Sequence, residues 1–111
     1  MKKFMAVYLG SGDKMKSWKP DEATMKKGME AGSKWMMDNA SAIVDQGAPL
    51  GKTKRVDANG ISDVKNEMGA YVVVQAESYE AAAKMFENHP HFTVFPGERV
   101  EVMECLPMPK M

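Results

Sequence analysis

The chain has 111 residues, 44% of them hydrophobic and 27% charged, which fits one globular domain over residues 1–111 and argues against disorder. Fifteen basic residues balance fifteen acidic ones, so nothing in the charge favours nucleic acid or an anionic membrane as a partner. A single cysteine, Cys105, excludes an intrachain disulfide and makes the reducing cytoplasm the expected location.

Phe4 to Leu9 reads as a buried strand closed by Gly10-Ser11-Gly12. The apolar run after Met1-Lys2-Lys3 is too short for a signal-peptide core, and no window approaches a membrane span. A loop is expected from Asp13 to Lys19. Pro20 then suits a first helical turn, with Asp21 and Glu22 placed where the helix dipole favours negative charge. Met25, Met29, Gly32 and Met36, extended by Ala40 and Ile43, form one apolar stripe on a helix of about twenty residues. Gly32 is read as permitting close approach to a sheet, and Trp35 as lying at the edge of the core. The twelve methionines read as adaptable core filling.

Lys52 to Val56 is extended in character, and Asp57-Ala58-Asn59-Gly60 signals a hairpin through a type I′ turn at Asn-Gly, with Ile61 to Val64 returning. The basic residues there read as a solvated edge strand. Ala70 to Ala76 is the clearest strand and a central one; Ser78 can cap the next helix, whose apolar face is Ala82, Met85 and Phe86. His89-Pro90 ends that helix. The last strand runs from about Glu98 to Leu106, and Pro107 to Met111 read as a tail.

Strand, helix, strand pair, strand, helix, strand gives an α+β, ferredoxin-like sandwich, an antiparallel sheet with two helices on one face. Period-two alternation puts Val72, Val74, Val100 and Val102 on one face. Tyr71, Val73, Gln75, Arg99, Glu101 and Met103 fall on the other, whose mixed polarity suits a ligand or a second subunit.

The opening Lys3 to Tyr8, the segment Gly47-Ala48-Pro49-Leu50, the run Gly69 to Ala82, His89-Pro90-His91 and Glu98 to Val102 together resemble the YCII-related family, in particular its DGPF-type branch. The resemblance implies a dimeric α+β barrel, in which two such units join sheet to sheet with a cleft in each subunit. In some relatives it also implies a His–Asp acid–base pair, with the histidine on the first helix. Here that helix carries no histidine, Trp35, Met36 and Met37 occupying its later turns, and Gly60-Ile61-Ser62-Asp63 stands near the position of the Asp-Gly-Pro-Phe signature.

Both histidines, His89 and His91, fall between the second helix and the last strand. Histidine ordinarily titrates near neutrality, so His91 is the candidate acid–base group, with Asp63 or Glu101 as its carboxylate partner. The competing structural reading has His89 capping the helix C-terminus and His91 anchoring the loop. Arg99 is suited to clamp a ligand carboxylate, and Tyr71, Gln75, His89 and Trp35 to line a ligand site. An Arg99–Glu101 ion pair is the structural alternative. Two histidine nitrogens alone are an incomplete metal set, so no metal is expected. No cofactor is expected either, since Gly10-Ser11-Gly12 lacks the Gly-Lys-Ser/Thr that completes a phosphate-cradling loop. The expected function is a homodimer that binds a small organic molecule in a cleft beside the His89–Pro96 loop, with lyase- or isomerase-type proton transfer as its chemistry. The alternative is a non-catalytic accessory or regulatory dimer.

Overall fold

The computed structural model describes residues 1–109; Lys110 and Met111, expected to belong to the tail, lie outside the described residues. Strand β1 (Lys2–Leu9) lies between β5 (Met68–Ala76) and β6 (Arg99–Glu104), antiparallel to both. Strand β2 (Ile43–Pro49) adds to the far side of β5, giving the order β2-β5-β1-β6. With α2 (Glu22–Asp38) and α3 (Tyr79–Lys84) as crossovers, this is the expected ferredoxin-like α+β arrangement.

The central strands form where they do because the run around Val72 and Val74 cannot be left in water. Phe4 and Ala6 of β1, Val72, Val74 and Ala76 of β5, and Ala82 and Phe86 beyond them make one buried cluster. Val100 and Val102 pack against it from β6, as alternation requires. Tyr71, Val73 and Gln75 sit half-buried on the opposite face, and Arg99, Glu101 and Met103 are exposed. Ser78 caps α3, its Oγ accepting from Ala81 N at 3.1 Å. Tyr79 then lays its ring edge-on to Phe4 with centroids 5.0 Å apart, which docks α3 over β1.

Several expectations change. Residues 13–19 are not all loop: Gly12–Ser17 form a short helix, α1. Helix α2 begins at Glu22 because Asp21 is its cap, with Oδ1 accepting from Thr24 N at 2.7 Å. It ends at Asp38, so Ala40 falls in a 3-10 turn and Ile43 opens β2, a strand that the stripe had concealed. Gln75 Nε2 donates to Ser41 O across that turn.

The buried line of α2 is also one position round from the expected stripe. Thr24, Gly28, Ala31 and Trp35 face inward, while of the expected stripe Met25 and Met29 are exposed and Gly32 and Met36 are half-buried. The close approach belongs to Gly28, whose neighbour is Phe95, and not to Gly32, which has open space around it. Aromatic side chains decided the face: Phe95 needs a gap on the helix and Trp35 fills the core edge.

The basic strand β3 (Thr53–Asp57) and β4 (Gly60–Val64) form a separate two-stranded sheet instead of joining the main one. Their turn is Ala58-Asn59, closed by Gly60 at φ 114°; Asn59 keeps a negative φ, so it is not type I′. Strand β2 bends around Gly47, at φ 70°, where a side chain would collide with Tyr71 O. The Cα radius of gyration, 15.8 Å, exceeds the about 13 Å of a compact chain of this size, in keeping with a hairpin outside the core. Cys105, placed by the sequence within the last strand, lies just past β6 and is exposed. Among the described residues no helix is long and apolar enough to cross a membrane.

Candidate functional site

The connection between α3 and β6 is built by its histidines. Beyond Lys84 the chain turns through Asn88, at φ 57°, and His89 then caps a four-residue helix, α4 (Pro90–Thr93). His89 therefore sits at a helix N-terminus, not at the C-terminus expected for it. Its Nδ1 accepts from His91 N at 3.0 Å. A ring nitrogen that accepts holds a lone pair, so neutral His89 carries its proton on Nε2, which donates to Tyr8 Oη at 3.1 Å.

Among the described residues His89 is the buried polar side chain, 6% exposed. Burial, and then the neighbouring His91, lower its pKa to about 4. It is thus neutral near pH 7, as its capping role demands. Phe86 stacks on it and Trp35 meets it edge-on, with centroids 4.9 Å apart for Trp35.

His91 turns the other way. Its Nε2 donates to Leu9 O at 2.9 Å, since a carbonyl can only accept. Its Nδ1 has no hydrogen-bond partner among the described residues. The ring stacks on Tyr8, centroids 5.2 Å apart and 27° between planes, and lies against Gly97, where a Cβ would collide with the imidazole. Gly97 N returns a bond to His91 O at 2.9 Å. Burial pushes the Tyr8 phenol up to about 12.

The structure thus brings His89 and His91 together on Tyr8, a residue that sequence reasoning left in the strand, with Trp35 packed behind His89. No motif marked it; its alternation partners Phe4 and Ala6 were the available signal. Trp35 is held by structure, its Nε1 donating to Met85 O at 2.7 Å. The carboxylates expected to pair with His91 are elsewhere. Tyr8 stands opposite Val100 on the helix side of the sheet, so Glu101, opposite Val7, faces away, as do Tyr71 and Gln75. Asp63 is on the detached hairpin and pairs with Lys54.

Arg99 is engaged by three carboxylates. Its Nε meets Glu101 at 2.7 Å, and its terminal nitrogens meet Glu67 at 3.1 Å and Glu98 at 3.6 Å. The hydrogen bonds to Glu101 and then Glu67 raise its pKa further. One cation among three anions offers little to an incoming carboxylate, so the expected clamp is already filled. Arg99 and Glu98 stand at the rim of a shallow groove of ≈ 340 Å³ over the β6 edge. Its walls include Phe86, Phe92, Val100 and Val102. Phe86 and Val100 back onto Tyr8, through ring packing and strand pairing respectively. Among the described residues no group of three His, Cys, Asp or Glu is placed to hold a metal.

No family model and no curated protein matches the sequence. Among solved structures, the chain is similar to 5-chloro-2-hydroxyhydroquinone dehydrochlorinase from Burkholderia phenoliruptrix AC1100, in complex with 2,5-dihydroxybenzoquinone. The TM-score is 0.56 at 16% identity, covering 91% of this chain and 90% of that one. The likeness shows a shared α+β fold.

Proposed function

We propose that this chain is the protomer of a YCII-like cytoplasmic homodimer that binds a small planar organic molecule and moves a proton on it, as a lyase or isomerase does. His91 is the acid–base group. The observation that carries this reading is the bonding of its ring: Nε2 is tied to Leu9 O and Nδ1 is left with a lone pair and no partner. A ring oriented through one nitrogen with the other unengaged is what general acid–base work needs.

Two further facts support it. The groove beside this loop is lined by Phe86, Phe92, Val100 and Val102 together with the charged Glu87, Glu98 and Arg99, a mixture that suits a flat ligand with polar substituents. The structural neighbour is a dehydrochlorinase described with a dihydroxybenzoquinone, a ligand of that shape. The acidic surroundings of Arg99 favour a neutral ligand over the anionic one that Arg99 alone suggested.

A thermal-shift screen of cyclic diketones and hydroxyquinones tests the reading, because specific binding stabilises by mass action. At least one compound raises Tm in the wild type, and Val100→Trp, which fills the groove, abolishes the rise. A screen without a shift, or shifts that survive Val100→Trp, would remove the ligand site. The non-catalytic dimer would then be the better account, favoured by the uncovered apolar residues Met5, Tyr71 and Val73 on the open sheet face.

A further inference from the structure

We infer that helix α2 pairs with the α2 of a second copy of this chain, antiparallel and centred on Ser33, through the face it turns to solvent. This contact is separate from the ligand groove and from the open sheet face, since α2 packs on the helix side of the sheet through Trp35.

The surface of an α-helix carries rows of residues four apart, with a trough between neighbouring rows. Two such rows lie side by side on the outside of α2. Met25, Met29, Ser33 and Met37 form the first, and Lys26, Glu30, Lys34 and Asp38 the second. The trough between them is a shallow groove of ≈ 380 Å³ lined by Met29, Glu30, Ser33, Lys34, Met37 and Asp38. Met29 is 65% exposed and Met37 77%, so flexible thioethers suited to filling an interface stand in water. Ser33, between them, is small and exposed, which leaves room for a second helix to cross closely. Gly32 beside it weakens the helix although nothing in this chain lies near enough to require it.

The charged row selects both the partner and the direction. Its signs alternate along the helix: plus at Lys26, minus at Glu30, plus at Lys34, minus at Asp38. Reversed against a copy of itself about Ser33, the row sets Lys26 toward the partner's Asp38 and Glu30 toward the partner's Lys34. A parallel pairing in register sets each sign against itself, which repels. Within one helix Lys26 meets Glu30 at 4.0 Å and Lys34 meets Asp38 at 2.6 Å. Among the described residues no ion pair joins Glu30 to Lys34, so the middle of the row is open to a bond between copies.

A two-fold contact uses one patch twice and therefore needs a patch complementary to itself. The reversal that matches the charges also brings Met29 beside the partner's Met37, on either side of the crossing. Rows seated in troughs cross at about −50°, which confines the contact to about three helical turns. That falls short of the about 800 Å² per partner of a standard interface, so the pair is weak and forms at high protein concentration.

Sedimentation velocity of the full chain over a wide concentration range tests the contact. The dilute species, whether monomer or sheet-face dimer, doubles its mass as concentration rises. Ser33→Glu, which sets two carboxylates against each other at the crossing, abolishes the doubling and leaves the dilute species unchanged. Glu30→Lys and Lys34→Glu each weaken association about 10-fold, because two symmetry-related surface pairs turn from attraction to repulsion. The double variant recovers the wild-type association, since its row is again complementary when reversed. Where a charge variant loses helix by circular dichroism, Ser33→Cys in a Cys105→Ser background replaces it, and mild oxidation joins two copies at position 33. A mass that does not rise with concentration overturns the inference, as does doubling that survives Ser33→Glu. Charge variants without recovery in the double variant, or no cross-link at position 33, overturn the antiparallel pairing. None of these substitutions touches the groove over β6, so the ligand screen stands or falls separately.

Discussion

Gly28 faces the ring of Phe95 across a gap that excludes a methyl group: a Cβ there would stand 2.7 Å from Phe95 Cζ. Phe95 is itself braced edge-on by Trp18, centroids 5.3 Å apart, so the helix and the loop carrying His91 are locked through this glycine. Gly28→Ala would force the ring away and is expected to cost about 1–3 kcal/mol, less up to about 1 kcal/mol returned by better helix propensity. Gly32→Ala, with nothing within 4 Å, should stabilise by up to about 1 kcal/mol. Urea unfolding midpoints of the two variants separate the faces. Equal effects would contradict the packing described.

Trp35 joins α2 to the end of α3 through one hydrogen bond, Nε1 to Met85 O. Trp35→Phe keeps a ring beside Phe86 and His89 but leaves that carbonyl without its donor, at a cost of about 1–3 kcal/mol. Calorimetry should show a lowered Tm with unaltered far-UV circular dichroism. An unchanged Tm would mean that water replaces the indole without penalty.

His89 makes stability depend on pH in a definite direction. Its folded pKa, about 4, lies below the 6.5 of the unfolded chain, so between these values the unfolded state binds the extra proton. The contribution is complete above pH 6.5 and is lost as pH falls toward 4, with a slope of at most about 1.4 kcal/mol per pH unit. Denaturation midpoints measured from pH 7 to pH 4 should fall for the wild type and fall less steeply for His89→Gln. Parallel curves would show that His89 is not the group responsible.

The open sheet face places Val73 opposite Met5, with Tyr71 two residues away. If two copies join there, Val73→Lys puts a charge into the interface and should yield a monomer by analytical ultracentrifugation, with the fold kept. A wild type that sediments as a monomer, or a variant that stays dimeric, rules this face out as the contact.

Alternation and composition made the layer order, the two faces of β5 and β6, and the Ser78 cap legible, because each depends on residues close in sequence. The α2 face was misjudged by one position, since methionines at helical spacing look buried whether or not anything covers them. Strand β2 was hidden for a related reason: Ile43 continues a helical pattern, and only pairing with β5 makes it extended. The site shows the same limit. His89 and His91 were visible as the only histidines, but their roles turn on Leu9 O and Tyr8 Oη, 82 and 81 residues away.

By itself, then, the sequence determined an α+β chain with a Val-rich central strand and a histidine pair beside the last one. The tertiary structure decided what those histidines face. It set them with Tyr8 on the helix side of the sheet and turned Glu101, Tyr71 and Gln75 to the other, because residues directly opposite in an antiparallel pair share a face. Spacing along the chain says which residues alternate. Only the register between strands says which of them meet.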